Sequence, residues 1–326
     1  MARVVKRRLQ VVGRSTLAVT LPSEWVKRLK LKKGEEVALI VHENSLTVMP
    51  LRRGEREKVA EISIDRDRII LERQLLTHYL SGYTTIVIRS HRPLTLDEKQ
   101  SIGRLLSRLA GLEIVEEKAD LVVIKDISDP TVLPVKQVIK KMHEIALSMQ
   151  MDAVTSLIKC DRMLAEDVIS RDKIVDRLYF LVVKQLRAAS ADPLLAAKLN
   201  ITPLECLDLR TIAKSIENMG DYAEEIGALA LEECSREARE FSNELIDLSK
   251  HIYSIHSKAM ESLMERDVVL AESVIAMEAE FKEKASKLIE LIAKKSDGML
   301  VKMHRVIDNL RRIAECGRDI ADIVVP

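Results

Sequence analysis

The feature that most constrains this 326-residue chain is an internal repeat in its second half. Leu164-Ala165-Glu166-Asp167-Val168-Ile169 matches Leu270-Ala271-Glu272-Ser273-Val274-Ile275 at a constant offset of 106. Ala153, Leu157 and Asp161 match Ala259, Leu263 and Asp267, and Asp172 falls on Glu278 at the same offset. A third stretch repeats at a shorter offset of 94, with Asp221 to Glu225 falling on Glu315 to Asp319. The surrounding periodicity is that of long amphipathic helices. Such a unit cannot bury its apolar stripe alone, so two copies of a three-helix unit must stack to close a core. The expected extent is 135–326, with repeats at about 135–232 and 241–326. Breaks are expected at Asp192-Pro193, from Asn200 to Pro203, and at Asp297-Gly298. Thr202-Pro203-Leu204-Glu205 combines a capping box with proline at the first helical position.

The first half has a different texture. Residues 1–54 read as short strands, with Thr16 to Leu21 as one strand, a short helix over Glu24 to Leu29 capped by Ser23, and a hairpin around Glu43-Asn44. Residues 55–127 alternate strand and helix, with a helix over Asp67 to Tyr79 and a capping box at Thr95-Leu96-Asp97-Glu98. Asp126 to Pro134, with two prolines, reads as a linker. The expected class is therefore multidomain: a small β-rich domain, a small α/β domain at 55–127, and an all-α bundle. An aromatic content of 3% argues against a large β-sandwich.

Charge divides along the same line. Residues 1–54 hold twelve Lys and Arg against four Glu, a net +8; with the whole chain at +1, the remainder carries −7. A basic head on an acidic body points to one polyanionic and one cationic partner. Arg3, Lys6, Arg7, Arg8 and Arg14 are the candidate contacts to DNA phosphates and bases. In the helical half, Glu217, Asp221 and Glu225 stand at i, i+4 and i+8, and Asp172 and Asp176 at i and i+4. Like charges at this spacing repel, and a cation, a basic partner or full solvation must offset that. Carboxylate oxygens on facing helices suit divalent or iron-type ions: Mg, Mn, Fe or Zn. In the second copy Glu278, Glu315 and Asp319 persist, but Lys282 stands where the first copy has Asp176, and Arg311 where it has Glu217. Built-in cations would neutralise that face, so the first copy is the better metal candidate.

Other classes receive less support. No histidine stands three residues after a glutamate, as a di-iron bundle requires, and no P-loop, dinucleotide-binding glycine pattern or nucleophile elbow is present. An enzyme is not expected, nor is an organic cofactor. No apolar run approaches bilayer-spanning length, no signal peptide opens the chain, and Cys160, Cys206, Cys234 and Cys316 read as buried free thiols of a cytoplasmic protein.

Two family resemblances rest on these residues. Glu217-Asn218-Met219-Gly220-Asp221-Tyr222-Ala223, its second copy Arg312-Ile313-Ala314-Glu315, and Asp172-x-x-x-Asp176 resemble the metal motifs of the PhoU family of phosphate-uptake regulators. That resemblance implies a six-helix bundle without catalytic chemistry, and contact with a phosphate ABC transporter subunit or a sensor kinase. Val12-Gly13-Arg14-Ser15, Val19-Thr20-Leu21-Pro22 and Lys33-Gly34-Glu35-Glu36-Val37 resemble the AbrB/SpoVT DNA-binding family. This implies a swapped-hairpin homodimer that places two basic strands on one face of the DNA-binding domain. A DNA-binding regulator of phosphate uptake is the reading that joins both; a non-DNA-binding adaptor acting by protein contact is the alternative.

Overall fold

The computed structural model describes residues 4–41, 44–51, 57–64, 68–129, 132–232, 236–295 and 300–325. By internal contacts the chain forms two units, Met1–Arg56 and Glu57–Pro326.

The first unit is two antiparallel hairpins separated by a short helix. Strands β1 (Gln10–Val12) and β2 (Thr16–Ala18) pair Gln10 with Ala18 and Val12 with Thr16. Gly13 turns between them at φ 71°, a left-handed conformation that glycine adopts without a Cβ clash. Helix α1 (Ser23–Leu29) starts one residue earlier than expected: Pro22 occupies the N-cap position, and Ser23 is already helical. Strands β3 (Val37–Val41) and β4 (Leu46–Pro50) form the second hairpin. None of the described residues of this unit is buried. Val11, Leu17, Leu39 and Val41 are between 58% and 79% exposed, so the alternating apolar faces of both hairpins find no cover within one copy.

The second unit begins with a four-stranded sheet. Strand β5 (Val59–Ser63) leads through helix α2 (Arg68–Leu80) to β6 (Thr85–Arg89); helix α3 (Leu96–Ser107) leads to β7 (Leu112–Glu117), and β8 (Leu121–Asp126) returns. The sheet order is β5-β6-β8-β7, with β5 and β6 parallel and the other pairs antiparallel. The capping box of α3 forms as expected: Thr95 Oγ1 accepts from the Glu98 amide, and Glu98 accepts from the Thr95 amide. Leu75, Tyr79, Ile86, Ile88 and Ile124 fill the core between sheet and helices. Asp126, expected in the linker, instead ends β8, and its largely buried carboxylate accepts from the Lys184 ammonium.

The rest is helical: α4 (Val135–Lys159), α5 (Arg162–Ala191), the short α6 (Pro193–Leu199), α7 (Pro203–Glu232), the short α8 (Arg236–Glu240), α9 (Ser242–Glu265), α10 (Val268–Lys295) and α11 (Leu300–Asp322). The long helices α4, α5 and α7 form one copy of the repeat, and α9, α10 and α11 the other. The two copies are capped alike. Asp161 Oδ1 accepts from the Leu164 amide at 3.1 Å, and Asp267 Oδ1 from the Leu270 amide at 3.0 Å. Ala153, Ala165 and Val168 and their counterparts Ala259, Ala271 and Val274 are all fully buried. One continuous core joins both copies. The break expected at Asp297-Gly298 lies outside the described residues. No described helix is long and apolar enough to cross a membrane.

The expectation of free cysteines fails at Cys160, which is disulfide-bonded. This residue ends α4 in a left-handed conformation (φ 56°) and is half-buried. Cys206 and Cys316 are free and buried, while Cys234 lies outside the described residues.

Candidate metal centre

The acidic stripes on α5 and α7 face each other. Asp172, Asp176 and Asp221 each offer an oxygen, and the three oxygens lie within 4.8 Å of one another. Asp172 is buried, Asp176 half-buried and Asp221 exposed at the mouth. Close packing of the helices makes this possible. A Cβ on Gly220 would stand 3.2 Å from Asp172 Oδ1 and 3.3 Å from Val175 Cγ1, so the glycine leaves room for the carboxylate.

Apart from the Arg108 guanidinium, 2.7 Å from Asp176 Oδ2, the charges acting on Asp172 are negative. Burial first, then the charges of Glu224, Asp176, Asp221 and Glu217, push the Asp172 carboxyl up to about 7. Partial shielding from water, then Glu217, raises Asp221 to about 6 although the residue as a whole is exposed. Asp172 Oδ1 is buried with no hydrogen-bond partner among the described residues. An orphaned acceptor of this kind costs about 1–3 kcal/mol, and a metal ion would satisfy it. The site therefore fits a cation, and its all-oxygen donor set favours hard ions.

The other expected ligands are placed differently. Glu217 is largely buried but turns to the Lys214 ammonium on its own helix. Glu225 accepts from Arg305 of α11 at 2.8 Å. The reason is helical geometry: residues at i and i+8 differ by about 80° around the axis, so a three-member stripe drifts off one face. Glu224 was not anticipated; burial and Asp176 raise its pKa, and it is the strongest charge acting on Asp172. Its signal was the i,i+3 spacing from Asp221, which lands on the same face.

In the second copy Glu278 is 3% exposed, and the Lys282 ammonium lies 2.7 Å from its Oε1 and 3.3 Å from Glu315 Oε1. A lysine thus stands among these carboxylates. Asp319 is exposed, and Arg311 lines a polar cleft of about 270 Å³ between α7 and α11 with its buried Nε unpartnered among the described residues.

In the N-terminal unit Lys6, Arg7, Arg8 and Arg14 are all exposed, the last on the β1–β2 turn; Arg3 lies outside the described residues.

Known proteins share this architecture. No curated protein matches the chain significantly. The PhoU structure from Pseudomonas aeruginosa superposes with a TM-score of 0.51 at 19% identity, covering 60% of this chain and 95% of that one. The phosphate transport system regulatory protein PhoU from Streptococcus pneumoniae gives 0.49 at 18%, covering 59% and 91%. The sequence model described as antidote-toxin recognition MazE, bacterial antitoxin, matches residues 10–56, the segment that resembles AbrB/SpoVT domains. The PhoU domain model matches twice, over residues 139–230 and 245–324, one match for each copy of the repeat. Two matches that together span just over half of the chain identify this protein as a member of the PhoU domain family.

Proposed function

We propose that this protein is a cytoplasmic, phosphate-responsive regulator of phosphate uptake, acting without catalysis, whose helical bundle binds one metal ion per chain and whose N-terminal unit dimerises to hold DNA. Membership of the PhoU family supports the phosphate assignment. A phosphate ABC transporter subunit or a sensor kinase is the protein partner this role implies. The observation that carries the metal reading is the buried, unpartnered oxygen of Asp172 facing Asp176 and Asp221. These three carboxylates would hold the ion, with Glu224 beside them. Carboxylates alone suit Mg²⁺, Mn²⁺ or iron better than Zn²⁺, which favours nitrogen and sulfur. The ion would place positive charge beside Asp172, whose Oδ1 has no hydrogen-bond partner among the described residues. Glu278 and Glu315 already have Lys282, so a second ion is not expected there.

Titrating the purified protein with Mn²⁺ should give one ion per chain, and Asp221→Ala should weaken binding about ten- to a hundredfold with the helical circular dichroism unchanged. Equal affinity in the variant would remove this site from the proposal.

The DNA reading is supported by four exposed basic residues in a unit none of whose described residues is buried. A second copy would cover the apolar faces and bring two basic edges together. Binding of the full chain to a phosphate-transporter promoter should weaken steeply with salt, each neutralised phosphate contributing about 0.9 to the log–log slope. Arg7→Ala with Arg8→Ala in each protomer should flatten that slope. Regulation that survives this double substitution, with no salt-dependent DNA binding by the native protein, would establish the adaptor reading in its place.

A further inference from the structure

Helix α5 carries one stripe, Asp172, Asp176, Phe180 and Lys184, at successive i,i+4 positions. The two halves of this stripe have different tasks. Asp172 and Asp176 face the carboxylate of Asp221 on α7. Phe180 packs against both the bundle core and the sheet core. The Lys184 ammonium is bonded to Asp126 and to Ser128 Oγ at 2.8 Å, and stands 4.7 Å from the Tyr79 ring centre. The α/β layer is thus seated on the same ridge that presents the acidic cluster. One residue links the two halves directly: Arg108, at the C-terminal end of α3, donates to Asp176 Oδ2 at 2.7 Å, with its guanidinium 6.0 Å from the Phe180 ring centre.

We infer that Arg108 is the exchangeable resident cation of the α5–α7 cluster, and that it competes with the metal ion for Asp176. This inference rests on the metal reading above. The second copy of the repeat supplies an internal comparison. Residue 282 is the counterpart of Asp176, and there Lys282 places its own ammonium between Glu278 and Glu315. In that copy the cation is a covalent part of α10 and cannot leave. In the first copy a cation is lent by a different layer, on a half-exposed side chain that can swing into water. A divalent ion among Asp172, Asp176 and Asp221 would put two positive groups on one carboxylate, and their repulsion must weaken one of the two bonds. Because coupling between two binding events is reciprocal, whatever loosens Arg108 tightens the metal, and loading the metal loosens the α/β layer at α3. The layer thereby becomes a reporter of metal occupancy.

Mn²⁺ titration and amide hydrogen exchange on the full-length protein, Arg108→Ala and Arg108→Lys test this. Arg108→Ala should bind Mn²⁺ about tenfold more tightly than the native chain, with Arg108→Lys nearer to native. Adding Mn²⁺ to the native protein should speed exchange in residues 104–112, and should change it little in Arg108→Ala. Weaker Mn²⁺ binding by Arg108→Ala overturns the competition and makes Arg108 a support of the site. If neither native protein nor variant takes up Mn²⁺, the metal reading falls and this inference with it; if all three bind alike, the coupling alone fails.

Discussion

Lowering the pH from about 6.5 to about 5 should cost the metal-free protein about 3 kcal/mol of stability through two histidines alone. His143 on α4 and His256 on α9 are 5% and 0% exposed, with ring centres 5.4 Å apart at the junction of the two repeats. His256 Nε2 donates to the carbonyl of Ile313 at 2.8 Å, and its Nδ1 and His143 Nε2 have no partner among the described residues. Burial, and for His143 also the neighbouring His256, lower the two pKa values to about 3 and about 4. Below pH 6.5 the unfolded chain therefore takes up protons that the folded chain refuses. The stability of the neutral pair is fully present above the unfolded value and drains away as pH falls, at about 1.4 kcal/mol per unit for each histidine. The loss levels off only near the folded values. Asp172 titrates with the opposite sign, because its folded pKa is raised. The decisive quantity is therefore a difference: urea unfolding of native protein and of His143→Gln/His256→Gln, each at pH 7 and pH 5. The double variant should lose about 4 kcal/mol less over that interval. An equal pH dependence in both proteins would show that the histidines are hydrated or already charged.

Gly317→Ala should destabilise the bundle by about 1–3 kcal/mol, even though alanine is the better helix former by about 1 kcal/mol. A Cβ at this position would stand 2.6 Å from Ile255 Cγ2 and 3.2 Å from His256 Nε2. Both neighbours are fully buried on α9, so neither can yield without moving its helix. The same clash would press on the hydrogen bond from His256 to Ile313. Gly103 provides the contrast: it lies on the exposed face of α3 with nothing within 4 Å of its would-be Cβ. Gly103→Ala should be neutral or stabilising by up to about 1 kcal/mol. Chemical unfolding of both variants distinguishes a packing effect from a propensity effect. A Gly317→Ala protein as stable as the native one would mean that α9 and α11 are less closely packed than this structure has them.

The histidine pair also shows where reading along the chain stops. His143 and Ser249 are related by the repeat offset of 106, and so are Gln150 and His256. The fold pairs His143 with His256, and Gln150 Nε2 donates to Ser249 Oγ at 2.8 Å. This is a buried polar layer crossing from α4 to α9. Its members lie about a hundred residues apart, and only the way the two copies stack brings them into contact.

Periodicity, capping residues and the repeat were enough to place the long helices and the capping boxes at Thr95 and Thr202, because these depend on interactions within a few residues. They also located the acidic stripes on α5 and α7, since i,i+4 spacing alone puts side chains on one face. What they could not supply was the partner of each carboxylate. Glu217 was taken by Lys214, Glu225 by Arg305 and Asp176 by Arg108, while Asp172 was left with an orphaned oxygen. Those outcomes depend on which helices pack together and how far each stripe drifts around its axis. Which residues carry charge is written along the chain; which charges meet, and how much water lies between them, exists only once distant segments are packed.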